Sequence, residues 1–434
     1  MLQTLAVMAT SETPSVLEKD AEKGLAAIAP NDFNATLNYS YEEIDRHALN
    51  APASAEASVE SLAAYLIESA ENDREKARAI FRWITENIDY NVEVFFKGGT
   101  GATNAEDVLK SRKSVCYGYS DIFLSLAREA GLEVVRISGY GKGYGYMPGK
   151  NFSGLPNHAW NAVKINGSWY LMDSTWGAGY VSGEGKYVQK FDDHYFMTPP
   201  TQFIYGHFPE EARWQLLDEP VSKQEFENLV YLEAEFFSLG LKLGQKNGTI
   251  SADQQINVSI YAPQDVLMMA GLEYADSRAS AKAKLDGYTF CQRDGERYDI
   301  YAQFPAAGSY ILKAYAKQKD EPGEYNSVLE YRINAASGDK ESPGFPMVYG
   351  KFSEAGAYLF SPLEGKLEAG SSYSFRIRVP GAGNVSVVCG DEWSYLDSRG
   401  DLFEGNATAG KGDVGVFGKF QGEGWEGLVR YVAE

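Results

Sequence analysis

The stretch NHAWNAVKINGSWYLMDSTW, residues 157–176, constrains the fold more than any other part of the chain. Asn166-Gly167 stands between two strand-like runs, and this dipeptide is the strongest short-range hairpin signal, because a two-residue type I′ loop needs positive φ at both central positions. A two-residue loop fixes the register. With Ile165 opposite Ser168, Trp160 falls opposite Asp173 and His158 opposite Thr175. Opposed residues share a face of the strand pair, so His158 and Asp173 become diagonal neighbours with Cβ atoms about 7 Å apart or less. From there the carboxylate can hold one imidazole nitrogen protonated and leave the other facing a nucleophile.

The candidate nucleophile comes from SRKSVCYGYSDIFLSLAREAG, residues 111–131, where Cys116 precedes a helical pattern. Ile122, Phe123, Leu126, Ala127 and Ala130 fall on one face, and Gly131 suits the residue after the helix end. Amides at a helix start stabilise a thiolate, and a partner imidazolium does so further. Read alone, Cys116 is equally a small buried hydrophobe, His158 a ligand of a loop carbonyl, and Asp173 the cap of the turn DSTWGAG. Trp160, Tyr119 and Trp176 are the substrate-contact candidates, and core or rim aromatics on the plainer reading.

The chain changes texture along its length. Residues 59–90 carry apolar side chains at three-to-four spacing and predict two amphipathic helices broken near Glu71 to Asp73. Beyond about residue 250 the pattern is one of short strands, including INVSIYA, VLMMAGLEY, SYILKAYAK, SVLEYRINAA, SYSFRIRVP and NVSVVCG. The stretch AASGDKESPG, residues 335–344, reads as a linker between two β-sandwiches. The expected organisation is a helical and cleft domain over 1–245, then β-sandwich domains over 246–337 and 338–434.

Composition narrows the partners. The chain has 434 residues and a formal charge of −20, which disfavours nucleic acid and anionic membrane. No run approaches the length of a membrane-crossing helix, and the opening MLQTLAVMATSET lacks a basic n-region. A soluble protein is expected, with export or a cytoplasmic location left open. Three cysteines, at 116, 291 and 389, are too scattered for a disulfide framework. The four histidines, at 47, 158, 194 and 207, show no metal-ligand spacing with the cysteines, so neither metal nor organic cofactor is expected. The glycine-rich GYGKGYGYMPGK, residues 139–150, lacks phosphate-loop spacing and reads as a mobile cleft loop or a plain surface excursion.

SVCYGYSDIFLSLAREAGLEVVRISGY followed by HAWNAVKINGSWYLMDSTWGAG resembles the core of the transglutaminase-like superfamily. The fuller likeness is to the kyphoscoliosis peptidase group, and includes YSYEEIDRHALNAP, KARAIFRWITENIDY and YFMTPPTQFIYGHFPEEARWQLL. The resemblance implies an α+β, papain-like transglutaminase core followed by two immunoglobulin-like β-sandwiches. It implies Cys116 as nucleophile, His158 as base and Asp173 as orienting carboxylate. The expected function is a cysteine peptidase or amide hydrolase working through a thioester, with a peptide or protein substrate, cell-surface and structural proteins among the candidates. The alternatives are a protein-glutamine transglutaminase or deamidase, and a non-catalytic protein-binding scaffold.

Overall fold

The computed structural model of the chain describes residues 39–99, 101–275, 285–422 and 424–434. The opening run MLQTLAVMATSET lies outside them. The chain gathers into two compact units, one running up to residue 138 with 159–201 and 209–221, the other holding 139–158, 202–208 and 222–434.

The first unit is built on helices α1 Glu42–Leu49, α2 Val59–Leu66, α3 Asp73–Asn87, α4 Ala105–Ser111 and α5 Cys116–Glu129. Their starts are chemically specified. Ser58 and Ser61 form a capping box ahead of α2. Asn72 accepts from the amide of Glu75 ahead of α3, and Asn104 from that of Asp107 ahead of α4, each satisfying an amide the helix cannot. The break between α2 and α3 falls where the sequence pattern places it. Helix α5 ends in a left-handed Gly131 at φ +79°. The amides of Gly131 and Leu132 return to the carbonyls of Arg128 and Ala127, both at 2.9 Å, which is the Schellman arrangement. The apolar stripe of α3 (Ala77, Ile80, Phe81, Ile84) and that of α5 (Ile122, Phe123, Leu126) share one buried cluster. Each fully buried Ile, Leu or Phe adds roughly 1.5–3 kcal/mol over its exposed state.

A charged knot sits against that core. Arg78 of α3 is 3% exposed and donates from Nε and Nη2 to the two carboxylate oxygens of Asp45 in α1, at 2.7 and 2.8 Å. Its Nη1 donates to Asp193. The guanidinium also lies 4.6 Å from the ring centre of Tyr41 and 5.0 Å from that of Phe196.

Strands β1 Glu133–Gly141, β2 His158–Ile165, β3 Ser168–Met172 and β4 His207–Pro209 form a four-stranded sheet in the order β3-β2-β1-β4. The β2-β3 register runs from Ile165 opposite Ser168 to Asn161 opposite Met172. Asn166 and Gly167 take φ of 50° and 84°, both positive as the type I′ loop requires. The expected pairing of His158 with Thr175 does not form. Asp173 is instead the N-cap of a short helix, α6 Ser174–Ala178, and the ladder ends at Met172.

In the second unit the glycine-rich segment is anchored at Lys142, while Tyr144, Gly145, Met147 and Gly149 are exposed as in a surface excursion. Lys142 has no solvent exposure and donates from Nζ to the carbonyl of Leu229 at 3.0 Å. Its ammonium is 4.6 Å from the ring centre of Phe226 and 5.3 Å from that of Tyr146. The amide of Phe152 donates to Glu227 at 2.8 Å, and its ring stacks on Phe226 with centroids 5.7 Å apart.

Burial pulls the Lys142 ammonium down to about 7, with Glu227 pulling weakly the other way. In the unfolded chain a lysine titrates near about 10.4. Between those values the unfolded chain carries the proton and the folded chain does not, so stability rises with pH across that window and the cost is full below it. Denaturant unfolding from pH 7.5 to 9.5 should therefore show the native protein gaining up to about 1.4 kcal/mol per pH unit relative to Lys142→Met. Parallel pH curves for the two proteins would contradict this.

Two layered β regions follow. In the first, β5 Thr249–Ala252, β7 Val266–Tyr274, β10 Gly308–Gln318 and β11 Asn326–Ala335 make one sheet in the order β5-β11-β10-β7. Strands β6 Gln255–Tyr261, β8 Thr289–Asp294 and β9 Arg297–Gln303 make the other, with β9 central. Val258, Ile260 and Ile300 from one sheet meet Met268, Leu312 and Leu329 from the other in a single buried cluster. In the second region β12 Tyr358–Ser361, β13 Ser372–Arg378, β16 Asp397–Arg399 and β17 Leu402–Thr408 pair in the order β12-β13-β17-β16. Opposite them, β14 Ala382–Cys389, β15 Glu392–Tyr395, β18 Gly412–Phe420 and β19 Trp425–Ala433 run in the order β19-β18-β14-β15. Phe375, Ile377, Val385, Val414 and Val429 fill the core between these sheets.

Candidate functional site

Cys116 is the first residue of α5 and is 6% exposed. The helix has no side-chain cap at its N-terminus, where Val115 occupies the N-cap position. Tyr119, one turn on, is fully buried and its hydroxyl donates to the carbonyl of Ile88. Trp160 is 1% exposed, and Trp176 is half-buried with its ring edge-on to Tyr195 at 5.6 Å. Tyr90 stands within electrostatic reach of both Cys116 and Asp173, and burial first, then those two groups, pushes its hydroxyl upward.

Asp173 is fully buried. Its Oδ1 accepts from the amides of Thr175 at 2.8 Å and Trp176 at 3.2 Å, so one oxygen is committed to starting α6. His158 begins β2. A Cβ at Gly141, on the neighbouring strand, would come within 3.1 Å of the His158 side chain, so a larger residue there would press on the imidazole. Asn157 holds the spacing, its side chain accepting from the Gly141 amide at 2.8 Å and donating to the Gly141 carbonyl at 3.1 Å. His207 opens β4, with its ring stacked 3.8 Å from Phe203 and 5.4 Å from the His158 ring.

Among the described residues, the metal-ligating atoms of His158, Asp173 and His207 all lie within 4.8 Å of one another, and all three residues are buried. The sheet order explains the gathering: β1 lies between β2 and β4, and β2 and β3 are joined by the tight hairpin. This corrects the reading of the chain as a cysteine peptidase or amidase with a Cys-His-Asp triad. The group that assembles is His-Asp-His, and Cys116 lies outside it, so the expected thioester chemistry loses its triad. Amine transfer and deamidation use the same thioester and fall with it. Two imidazoles and a carboxylate are instead a donor set suited to a first-row divalent ion such as zinc or iron. The backbone bonds to Asp173 would orient its other oxygen as an outer shell does. His207 was missed in the sequence because it follows His158 at no ligand spacing. It enters through sheet order alone.

These elements define a class. The chain has the transglutaminase-like superfamily fold over residues 60–174, and residues 223–347 match the KY-like, immunoglobulin-like domain. Its relatives include the kyphoscoliosis peptidases of Mus musculus and Homo sapiens, each 26% identical, with 87% of this chain matching 74% of theirs. Hillarin of Drosophila melanogaster is 29% identical, with 68% of this chain matching 39% of it. The mixed α/β core followed by β-sheet, immunoglobulin-like regions is therefore as the sequence implies. Among the described residues, no helix is long and apolar enough to cross a membrane.

Proposed function

We propose that this chain is a protein-binding scaffold whose transglutaminase-like core performs no cysteine-dependent acyl transfer. The observation that carries the reading is the buried His158-Asp173-His207 group, which assembles without Cys116. The immunoglobulin-like region supports it, because such sandwiches present rigid strand faces and edges to other proteins and fold alone does not entail chemistry. We keep the division into a core up to about 245 and sandwiches over 246–337 and 338–434 as part of this reading; three apolar clusters support three regions, although the second cluster already begins at Val230 and the third includes Phe290. Structural or cell-surface proteins are the partners the reading favours.

The test compares the full native chain with Cys116→Ala. Both are incubated with a peptide library and a labelled primary amine, and products are read by mass spectrometry. The scaffold reading expects identical product profiles. New peptide termini, Gln-to-Glu conversion or amine incorporation that require Cys116 would overturn it.

A further inference from the structure

Strand β8, Thr289–Asp294, lies at the edge of its sheet and serves two sandwiches at once. Alternate side chains along a strand point to opposite faces. Thr289, Cys291 and Arg293 turn to their own sandwich. The Thr289 hydroxyl donates to the carbonyl of Ala270 at 3.1 Å, Cys291 packs on the first sandwich core, and Arg293 donates to the carbonyls of Ala262, Pro263 and Val266 at 3.1, 2.8 and 2.9 Å. Phe290, Gln292 and Asp294 turn the other way, and each meets the C-terminal sandwich. Phe290 is 3% exposed and belongs to that sandwich's apolar cluster, stacked on Phe345 with centroids 5.9 Å apart and 6.1 Å from Phe352. Gln292, 2% exposed, donates to the carbonyl of Leu359 at 3.2 Å and accepts from the Leu359 amide at 2.8 Å. Asp294 accepts from Arg378 of β13 at 2.8 Å.

The neighbouring strand repeats the division. Tyr301, Asp299 and Arg297 of β9 stand opposite Phe290, Gln292 and Asp294, so they share that face. Tyr358 of β12 donates to Asp299 at 3.2 Å, and its hydroxyl lies 3.3 Å from that of Tyr301. Leu359 sits on the edge strand β12, and the Gln292 side chain gives its backbone the donor and acceptor that a further strand would supply. The chain between the sandwiches is tied at both ends. The Asp339 amide donates to the carbonyl of Phe304 at 2.9 Å and the Phe345 amide to that of Gly287 at 2.7 Å. A Cβ at Gly338 would stand 2.3 Å from the backbone of Ala306, so this crossing is pressed flat against the first sandwich.

We infer that the two sandwiches form one rigid body that opens and unfolds in a single step, with β8 as the shared element and residues 338–345 a fixed crossing rather than a hinge. Interfaces between domains of one chain are ordinarily polar enough to permit relative motion, and a well-packed apolar one removes that freedom. Parting these sandwiches exposes Phe290, Phe345 and Phe352 to water together and breaks both Gln292 bonds in the same movement. A partner that touches both sandwiches therefore meets them in one fixed orientation. This holds whether or not the core turns over a substrate.

The test is native-state hydrogen exchange on the full chain, read by mass spectrometry at increasing sub-denaturing urea. The slowest amides of β10 and β11 in the first sandwich and of β14 and β18 in the second are expected to share one opening constant and one urea dependence. Ile300→Val trims the core of the first sandwich alone and should speed exchange in both by the same factor, about two- to tenfold. Gln292→Ala leaves the buried amide and carbonyl of Leu359 without partners, and should separate the two sets of amides by about tenfold or more. Two distinct opening steps in the native chain would overturn the inference. So would acceleration confined to the first sandwich in Ile300→Val, or a single shared opening constant retained in Gln292→Ala.

Discussion

Replacing Arg78 by Ala is expected to destabilise the folded chain by about 3 kcal/mol, measured as a shift in the denaturant midpoint at unchanged slope. Arg78 neutralises Asp45 through both carboxylate oxygens and fills the space beside Tyr41 and Phe196. Its removal leaves a charge facing an aromatic pocket. Asp45 retains 21% side-chain exposure and can recruit water, which places the loss at the low end of the range of about 3–5 kcal/mol for breaking a buried pair. Arg78→Lys should recover part of the loss, since it keeps the charge and gives up the two-oxygen fork. A midpoint unchanged in Arg78→Ala would show that the knot contributes nothing net.

The second large effect is expected at Gly118, in the first turn of α5. A Cβ there would stand 2.5 Å from the Ala102 carbonyl oxygen and closer still to the Ser114 hydroxyl, which donates to that same carbonyl. One obstacle is backbone, so a rotamer change alone does not clear it. Gly118→Ala should cost about 2–3 kcal/mol by forced displacement, despite alanine's better helix propensity. An exposed comparison, Gly383→Ala, meets only the Lys419 carbonyl at 3.8 Å and should be near neutral. Equal melting temperatures for the two variants would refute the steric account.

Local signals in the sequence reached surprisingly far into this structure. The hairpin register, the α2-α3 break and the Gly131 helix end all follow from short-range chemistry, and each is found where that chemistry puts it. Most of the strands beyond residue 250 were legible for the same reason, because alternation and turn residues are local. The strand Thr289–Asp294 was missed, since TFCQRD has mixed polarity and its pairing to Arg297–Gln303 sets it. The site failed at a longer range. His158 and Asp173 come together through the hairpin, but His207 reaches them through a strand order that no spacing encodes, and the cysteine favoured by its place at a helix start is not in the group. Lys142 was hidden similarly. Glycines and tyrosines around it suggested freedom, while its partners lie at 226–229.

That last attachment bears on how this molecule can be cut or recombined. Phe152, Tyr146 and Lys142 are contributed by the chain well before the immunoglobulin-like match begins at 223, yet their partners are Phe226, Glu227, Leu229 and Tyr231. A fragment ending near residue 221 would leave two aromatic side chains and a lysine without their cover, inviting aggregation where a clean module was intended. The two regions are therefore not interchangeable beads on a string. A graft that exchanges the sandwiches has to carry residues 139–158 and 222–231 as a matched pair, and heredity faces the same constraint as the engineer.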